Sequence, residues 1–322
     1  MSDGLLVTGG LGFVGSHFVW AAHEAGARVV VLDDRSGGEA APLPDGVRVV
    51  TGDIGAAALV SALVRDERLG AMVHFAGKIQ VGESVRAPRL YFDHNVARGL
   101  RLLDAALDAG VSRVVFSSTA AVYGTPEIVP IPESSVREPV NPYGASKLAF
   151  ERVLSAYGDA YGLRWAAPRY FNAAGAHPRG HLVERHEPET HLIPLVLDAA
   201  LGRRPALRVF GDDYPTPDGT CVRDYVHVCD LADAHLAALD ALTRGAVGAL
   251  NLGTGRGASV REVIDAAARA LGRAVPFERA PRRDGDPAAL VADASRAGAL
   301  LGWRARRSEL EVIVEDARRS RG

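Results

Sequence analysis

The sequence is poor in lysine. Of 37 basic residues only Lys78 and Lys147 are lysine, and every other one is arginine. It is also poor in cysteine. Cys221 and Cys229 are too few for a disulfide framework and are not spaced as a zinc motif, so a reducing compartment is expected. No apolar run is long enough to span a bilayer. The opening MSDGLLVTGG has neither the basic region nor the apolar core of an export signal, and the expected location is the cytoplasm. Neither sign of charge dominates: the formal net charge is -2, which gives no basic field for nucleic acid or anionic lipid. Arg304, Arg306 and Arg307 are followed by Glu309, Glu311 and Glu315 and read as a solvated face. Internal repeats and low-complexity tracts are absent as well. What is present, 322 residues with 48% apolar and 24% charged side chains, is the composition of one large or two ordinary globular domains.

The first half alternates. Short β-branched runs (GLLVT, RVVVLD, VRVVTGD, AMVHFAG, RVVFSS and LRWAAPRYFN) are separated by Ala/Leu-rich stretches of helical period. This rhythm predicts an α/β fold with a Rossmann-type, doubly wound parallel sheet. From about residue 176 the rhythm breaks into the turn-rich HPRGHLVERHEPETH and GDDYPTPDGTC. Later come ALNLGTG and a capping box, Ser259-Val260-Arg261-Glu262, that opens a helix. The expected division is a nucleotide-binding domain over 1–175, with a return segment near 225–252, and a smaller C-terminal α/β substrate domain over 176–322. A ligand cleft belongs between them, beyond the carboxyl ends of the strands.

LLVTGGLGFVGSHFVWAA reads as strand, glycine turn and helix, with Gly9, Gly12 and Gly15 in a G-x-x-G-x-x-G pattern around Phe13 and Val14. Such a turn lets backbone N–H groups approach a pyrophosphate at a helix N-terminus. The second strand ends in Asp33, 18 residues beyond Gly15, where an acid binds an adenosine ribose. Its carboxylate favours NAD, because it would repel a 2′-phosphate; Arg35 two residues on is read as a surface arginine. Asp53 and Ile54 end the third strand and Phe75-Ala76-Gly77 the fourth, at the two riboses' expected positions.

NPYGASK returns to the rare lysine. Tyr143 and Lys147 are at i and i+4, so on a helix they share a face, with Asn141 as cap and Pro142 in the first turn. With eight tyrosines and two lysines, chance predicts on the order of 0.05 such pairs. A tyrosine of ordinary pKa near 10 is a poor base at neutral pH, and lowering it by ~3 units needs ~4 kcal/mol of phenolate stabilisation. A compact ammonium supplies that better than a spread guanidinium. Upstream, Ser117, Ser118 and Thr119 close the fifth strand, where a hydroxyl can bond a reacting oxygen and pass its proton on.

Taken together, the glycine turn, Asp33, the hydroxyl-bearing strand end and Tyr143/Lys147 resemble the extended short-chain dehydrogenase/reductase family. HFAG with VGES, YFNAAGAHP, PETHLIP, FGDDYPTPDGTCVRDYVHV, NLGTG and APRRDGDPA with ADAS narrow the resemblance to the branch that interconverts UDP-glucose and UDP-galactose at C4. The resemblance implies tightly bound NAD, Tyr143 as base, Thr119 as hydroxyl partner, and Lys147 on the nicotinamide ribose. Lys78, Asn95, Ser117 and Tyr170 are implied beside the cofactor. Arg223 and Arg283 (or its neighbour Arg282) are implied on the substrate diphosphate with Asn172, Asp286 on a ribose or uridine, and His191, Leu192 and Phe210 around the uridine. Leu290 is implied near the sugar, where side-chain size sets tolerance of an N-acetyl group. The resemblance also implies a homodimer, through YFDHNVARGLRLLDAAL and the helix after Tyr143.

Three other readings compete. A dehydratase of the family needs an acidic pair after the hydroxyl, and Thr119 is followed by Ala120-Ala121. A 4-epimerase for UDP-N-acetylglucosamine, UDP-glucuronate or a UDP-pentose would use the same base. A non-catalytic NAD sensor could dispense with Tyr143 and Lys147. His177, His181, His186 and His191 raise the question of a metal, but Pro178, Gly180 and Pro188 prevent the continuous helix that would align them, and no metal is expected.

Overall fold

Side chains in the N-terminal strands alternate between two buried faces, which requires helices on both sides of the sheet. The computed structural model describes residues 4–184, 186, 188–283 and 286–321. Strands β1 (Gly4–Thr8), β2 (Val29–Asp33), β3 (Arg48–Thr51), β4 (Leu69–His74), β5 (Arg113–Phe116), β6 (Arg164–Tyr170) and β7 (Gly248–Leu252) are all parallel, in the order β7-β6-β5-β4-β1-β2-β3. Leu6, Val30, Leu32, Met72, Val114 and Phe116 pack on helices Ala57–Asp66, Gly99–Ala109 and Pro142–Tyr161. Leu5, Val7, Val29, Val31, Val73 and Val115 pack on helices Phe13–Glu24 and Val228–Ala241. The order reverses between β1 and β4, the switch point where such sheets open a crevice.

The six runs read as strands all are strands. The seventh, β7, comes from ALNLGTG and pairs with β6, with Leu250 opposite Pro168. Pro168 lacks an N–H, so it is an unexpected residue for an inner strand.

The helical stretch from YFDHNVARGL onward differs from a regular helix. Pro88–Phe92 passes through a π-helical turn, Asp93–Arg98, into Gly99–Ala109. Such turns are frequent at functional sites. Here the turn carries the buried Asn95.

Beyond the sheet, helices Leu192–Ala200, Val260–Leu271 and Leu310–Arg321 share a separate core with the strand Leu207–Phe210. Ser259 and Glu262 form the expected reciprocal cap. Short strands tie this part to the sheet's carboxyl edge: Asn172–Ala174 with Tyr225–His227, and Val222–Arg223 with both Ala258–Ser259 and Ala289–Leu290.

Candidate active site

The glycine turn shows where a ligand fits. A Cβ on Gly15 would lie 2.2 Å from Gly9 O, and Gly9 has φ +72 with a Cβ position 2.5 Å from Ala76 N, so the fold itself demands both glycines. Gly12 differs: its Cβ would meet only Gly9 O, at 3.5 Å. It is exposed and sits as N-cap of Phe13–Glu24, and no cap side chain takes the first N–H groups of that helix. A glycine unnecessary for the protein's own packing, at an uncapped helix N-terminus, fits a pyrophosphate approaching the backbone. Asp33 closes the same turn. Its carboxylate accepts from Leu11 N at 3.0 Å and Arg35 N at 2.8 Å. Arg35 adopts φ +60 and donates Nε to Thr51 Oγ1 at 3.2 Å.

Asp53 accepts from Gly55 N at 2.6 Å and pairs with Arg98, and Ile54 is buried beside it. Phe75, Ala76 and Gly77 follow β4 and are half-buried. Asn95 clamps the next residue from both sides: its Oδ1 accepts from Lys78 N at 2.8 Å and its Nδ2 donates to Lys78 O at 3.0 Å. The same Nδ2 donates to Ser146 Oγ at 3.0 Å, and Ser146 Oγ donates to Tyr143 O at 2.7 Å. Asn95 therefore joins the end of β4 to the helix that carries Tyr143. Burial pushes the Asp34 carboxyl up, but the bonds from Ser36, followed by His94 and the Lys78 ammonium, hold it below its usual range.

Helix Pro142–Tyr161 starts as its sequence requires, with Asn141 Oδ1 accepting from Gly144 N at 2.9 Å and Pro142 in the first turn. Tyr143 and Lys147 lie on its inner face against Ser117–Thr119. Burial raises the Tyr143 phenol above its ordinary value, and a hydrogen bond with the Thr119 side chain pulls the other way. Lys147 is 2% exposed, and its Nζ donates to Ser117 O at 2.9 Å and lies 4.8 Å from the Phe116 ring centre. Burial pulls its ammonium down to about 8, with the Glu151 carboxylate pushing back up. A Cβ on Gly77 would approach Lys147 Nζ to 3.3 Å, so the amine sits at the floor of the turn after β4. Ser117 Oγ and Tyr170 OH are 2.5 Å apart, which brings the ends of β5 and β6 together.

Behind these groups lies a buried network that the sequence reading missed. Glu151, one turn on from Lys147, receives two bonds from Arg169, which is 1% exposed, and one from Ser118 Oγ. Arg169 Nη1 donates to Tyr123 OH at 2.8 Å, and Tyr123 OH donates to Asn251 Oδ1 at 2.7 Å. Asn251 Nδ2 donates to Ile131 O at 2.8 Å, and Ile131 bridges to Ala292. The available signals were an arginine inside the otherwise apolar run RWAAPRYFN and a glutamate at i+4 from Lys147.

Two residues past Tyr170 the chain reaches a cavity of about 430 Å³. Asn172, His191, Leu192, Phe210, Arg223, Arg283 and Asp286 all line it. Arg223 pairs with Asp286 and donates Nη1 to Val222 O at 2.8 Å. Arg283 stacks on Phe210, 4.0 Å from the ring centre, whereas Arg282 turns outward onto Tyr214 and Asp213. Of the two neighbours, Arg283 is the one in the cavity. Leu290 pairs with Arg223 in the short sheet and packs towards Val122, Tyr123 and Leu148, between the cavity and the Tyr143 helix. Glu184, Glu189, Arg204, Arg208 and Tyr225 also line the cavity and were not singled out from the sequence.

The four loop histidines separate into two groups. The His177 and His181 rings lie 4.1 Å apart, tilted to one another, near His17 and Trp20. Burial lowers His17 to about 3 and His177 to about 4, so both are neutral packing groups. His186 and His191 lie together on the cavity side, 4.6 Å between ring centres.

Comparison with known proteins gives a consistent result. Residues 5–253 match the profile of the NAD dependent epimerase/dehydratase family. The chain is 51% identical over 317 residues to the UDP-glucose 4-epimerase of Azospirillum brasilense, across 98% of this chain and 91% of that one. Its structure matches that of UDP-glucose 4-epimerase from Brucella ovis in complex with NAD, with a TM-score of 0.94, 44% identity and 98% of each chain covered. The UDP-glucose 4-epimerase of Bifidobacterium longum in complex with NAD+ and UDP gives a TM-score of 0.93 at 38% identity, covering 99% of this chain and 98% of that one.

Proposed function

We infer the function from one premise: the chain belongs to the NAD dependent epimerase/dehydratase family. It is an NAD-dependent isomerase that epimerises a UDP-sugar at C4, with UDP-glucose and UDP-galactose as the pair interconverted. The observation that carries this reading is the single cavity shared by Asn172, Phe210, Arg223, Arg283 and Asp286. Asn172 is two residues, roughly 7 Å of extended chain, from Tyr170 at the catalytic cluster. A diphosphate held by Arg223 and Arg283, with uridine against Phe210, His191 and Leu192, leaves the sugar directed past Leu290 towards Thr119 and Tyr143.

NAD, held by the turn from Gly9 to Gly15 and by Asp33, supplies the acceptor and donor of hydride at sugar C4. Tyr143 takes the proton of the 4-hydroxyl and returns it after the 4-keto sugar has turned over in the cavity. Thr119 bonds the same oxygen and offsets part of the burial that keeps the phenol protonated. Lys147, whose amine lies next to Gly77, would supply positive charge to the nicotinamide ribose. Ser117, Tyr170, Phe75, Ala76, Lys78 and Asn95 shape that end of the cofactor site, and Asp53 and Ile54 the adenine end. The N-terminal part through 175, with the return through β7, serves the cofactor, and 176–322 serves the substrate.

The chain acts in the cytoplasm, and no helix among the described residues is long and apolar enough to cross a membrane. It works as a homodimer: Val81, Val85, Leu90, Phe92 and Tyr161 are exposed apolar side chains on the helices around Tyr143. Light scattering at micromolar concentration tests this, and a monomer mass would refute it. The central test is to incubate the purified protein with UDP-galactose and no added NAD. Formation of UDP-glucose is expected, and its absence from NAD-loaded protein would overturn the assignment. Leu290, of intermediate size at the sugar end, leaves N-acetylated sugars open; the narrower reading is that UDP-N-acetylglucosamine is the poorer substrate. An equal rate would refute that reading.

A further inference from the structure

Two glutamates and two histidines converge on the segment before helix Leu192–Ala200. The side-chain donor atoms of Glu184, His186, Glu189 and His191 all lie within 4.8 Å of one another. His191 Nδ1 is 2.8 Å from Glu189 Oε1 and 3.0 Å from Glu184 Oε1. His186 Nδ1 is 3.4 Å from Glu184 Oε1 and 3.9 Å from Glu189 Oε2. Zinc bonds imidazole nitrogen and carboxylate oxygen at about 2.0–2.1 Å, and a tetrahedron built on such bonds has edges of about 3.3 Å. The four separations straddle that length.

Two further observations point to a cation. His186 Nδ1 and Glu189 Oε2 are buried side-chain atoms with no hydrogen-bond partner, a state that costs free energy unless another ligand shares them. The nearby cation is also shared. Arg321 lies 3.7 Å from Glu189 Oε2, but the same guanidinium is bonded to Asp198 at 3.1 and 3.2 Å, so Glu189 divides it with a second carboxylate. Two imidazoles and two carboxylates form a borderline donor set, suited to zinc and its d-block neighbours more than to magnesium or calcium, which prefer oxygen alone.

We propose that Glu184, His186, Glu189 and His191 form a binding site for one zinc-class divalent metal ion. Glu184, Glu189 and His191 also line the 430 Å³ cavity, so the ion braces one of its walls. The proposal is independent of what occupies the cavity.

The test uses the full-length protein, freed of metal with a chelator and titrated with Co²⁺ while visible absorption is recorded. Four-coordinate Co²⁺ shows intense d–d bands that the hexaaqua ion lacks. The expected result is bands that saturate at one Co²⁺ per chain, disappear on addition of Zn²⁺ and persist in excess Mg²⁺. They should be lost in both His186→Ala and Glu189→Gln, with far-UV circular dichroism confirming that each variant is folded. No saturable bands in the wild-type protein, or bands of equal intensity in either folded variant, would overturn the site.

Discussion

Replacing Arg169 by Met should damage the protein twice, once in stability and once in turnover. Arg169 and Glu151 are 1% and 4% exposed, and among the described residues their fork-to-fork contact is supplemented by hydrogen bonds with Ser118 and Tyr123. Removing the guanidinium strands a buried carboxylate, which costs about 3–5 kcal/mol in comparable cases. At ~2.1 cal/mol/K of unfolding entropy per residue, 322 residues give about 0.7 kcal/mol/K, so the melting temperature should fall by about 4–7 °C. Lys147 is a second cation within electrostatic reach of Glu151. Drawing its ammonium towards the stranded carboxylate pulls it from Ser117 O and the Tyr143 side of the site. A displacement of an ångström in a catalytic group costs on the order of 10²-fold in rate, so kcat should fall by about that much. KM should hold, because neither residue lines the substrate cavity. The double variant Glu151→Met, Arg169→Met separates the effects. With both charges gone, the melting temperature should recover most of the loss, while kcat stays low because Ser118 and the helix have lost their shared anchor. Calorimetry and steady-state kinetics on the three proteins decide it. A single variant melting like wild type, or a double variant no more stable than the single, would refute the argument.

Three further outcomes follow from the site. Tyr143→Phe should retain bound NAD and lose turnover by 10²–10⁴-fold, roughly the worth of a positioned base; unchanged turnover would eliminate Tyr143 from that role. Gly12→Ala should melt like wild type yet be isolated with little NAD, because its Cβ meets nothing closer than 3.5 Å in the protein, whereas Gly15→Ala should fail to fold, with a contact of 2.2 Å. Absorbance of the released nucleotide and a thermal melt distinguish the two glycines, and equal NAD content in Gly12→Ala would contradict the cradle. For Lys147 the sign runs opposite to a salt-bridged lysine. Its native pKa, about 8, lies below the 10.5 of the unfolded chain, so the unfolded state binds more protons between those values and stability rises with pH across that window. Below pH 8 the buried charge is a standing penalty of up to about 3 kcal/mol. Lys147→Met should accordingly melt higher than wild type at pH 7 while losing activity, with the difference shrinking towards pH 10. A variant that melts lower at pH 7 would contradict this balance.

Some of this chain could be read from local pattern, because local pattern reports local physics. Residues alternating between two buried faces had to be parallel strands between helices. The capping signals at Asn141 and Ser259 are satisfied within three residues of themselves, so they needed no tertiary information. The π-helical turn at Asp93–Arg98 had no such signature, and the contacts made there by Asn95, with Lys78 and Ser146, are distant in sequence. The exclusion of a metal rested on helical alignment of histidines. His186 instead meets His191 through Glu184 and Glu189.

The order of glycines, acid, hydroxyl, tyrosine and lysine along the chain was enough to state the sheet and the cofactor, while the epimerase reading came from the resemblance carried by the later motifs. Each of those motifs is a short segment whose geometry is set by its own backbone. Tertiary structure alone decided which arginine of the pair at 282 and 283 faces the cavity, that Arg169 belongs to Glu151 and not to solvent, and that Gly12 is open while Gly15 is not. Those facts depend on which distant segments come within a few ångströms of each other, and hydrogen bonding, burial and steric exclusion all act over that range and no further.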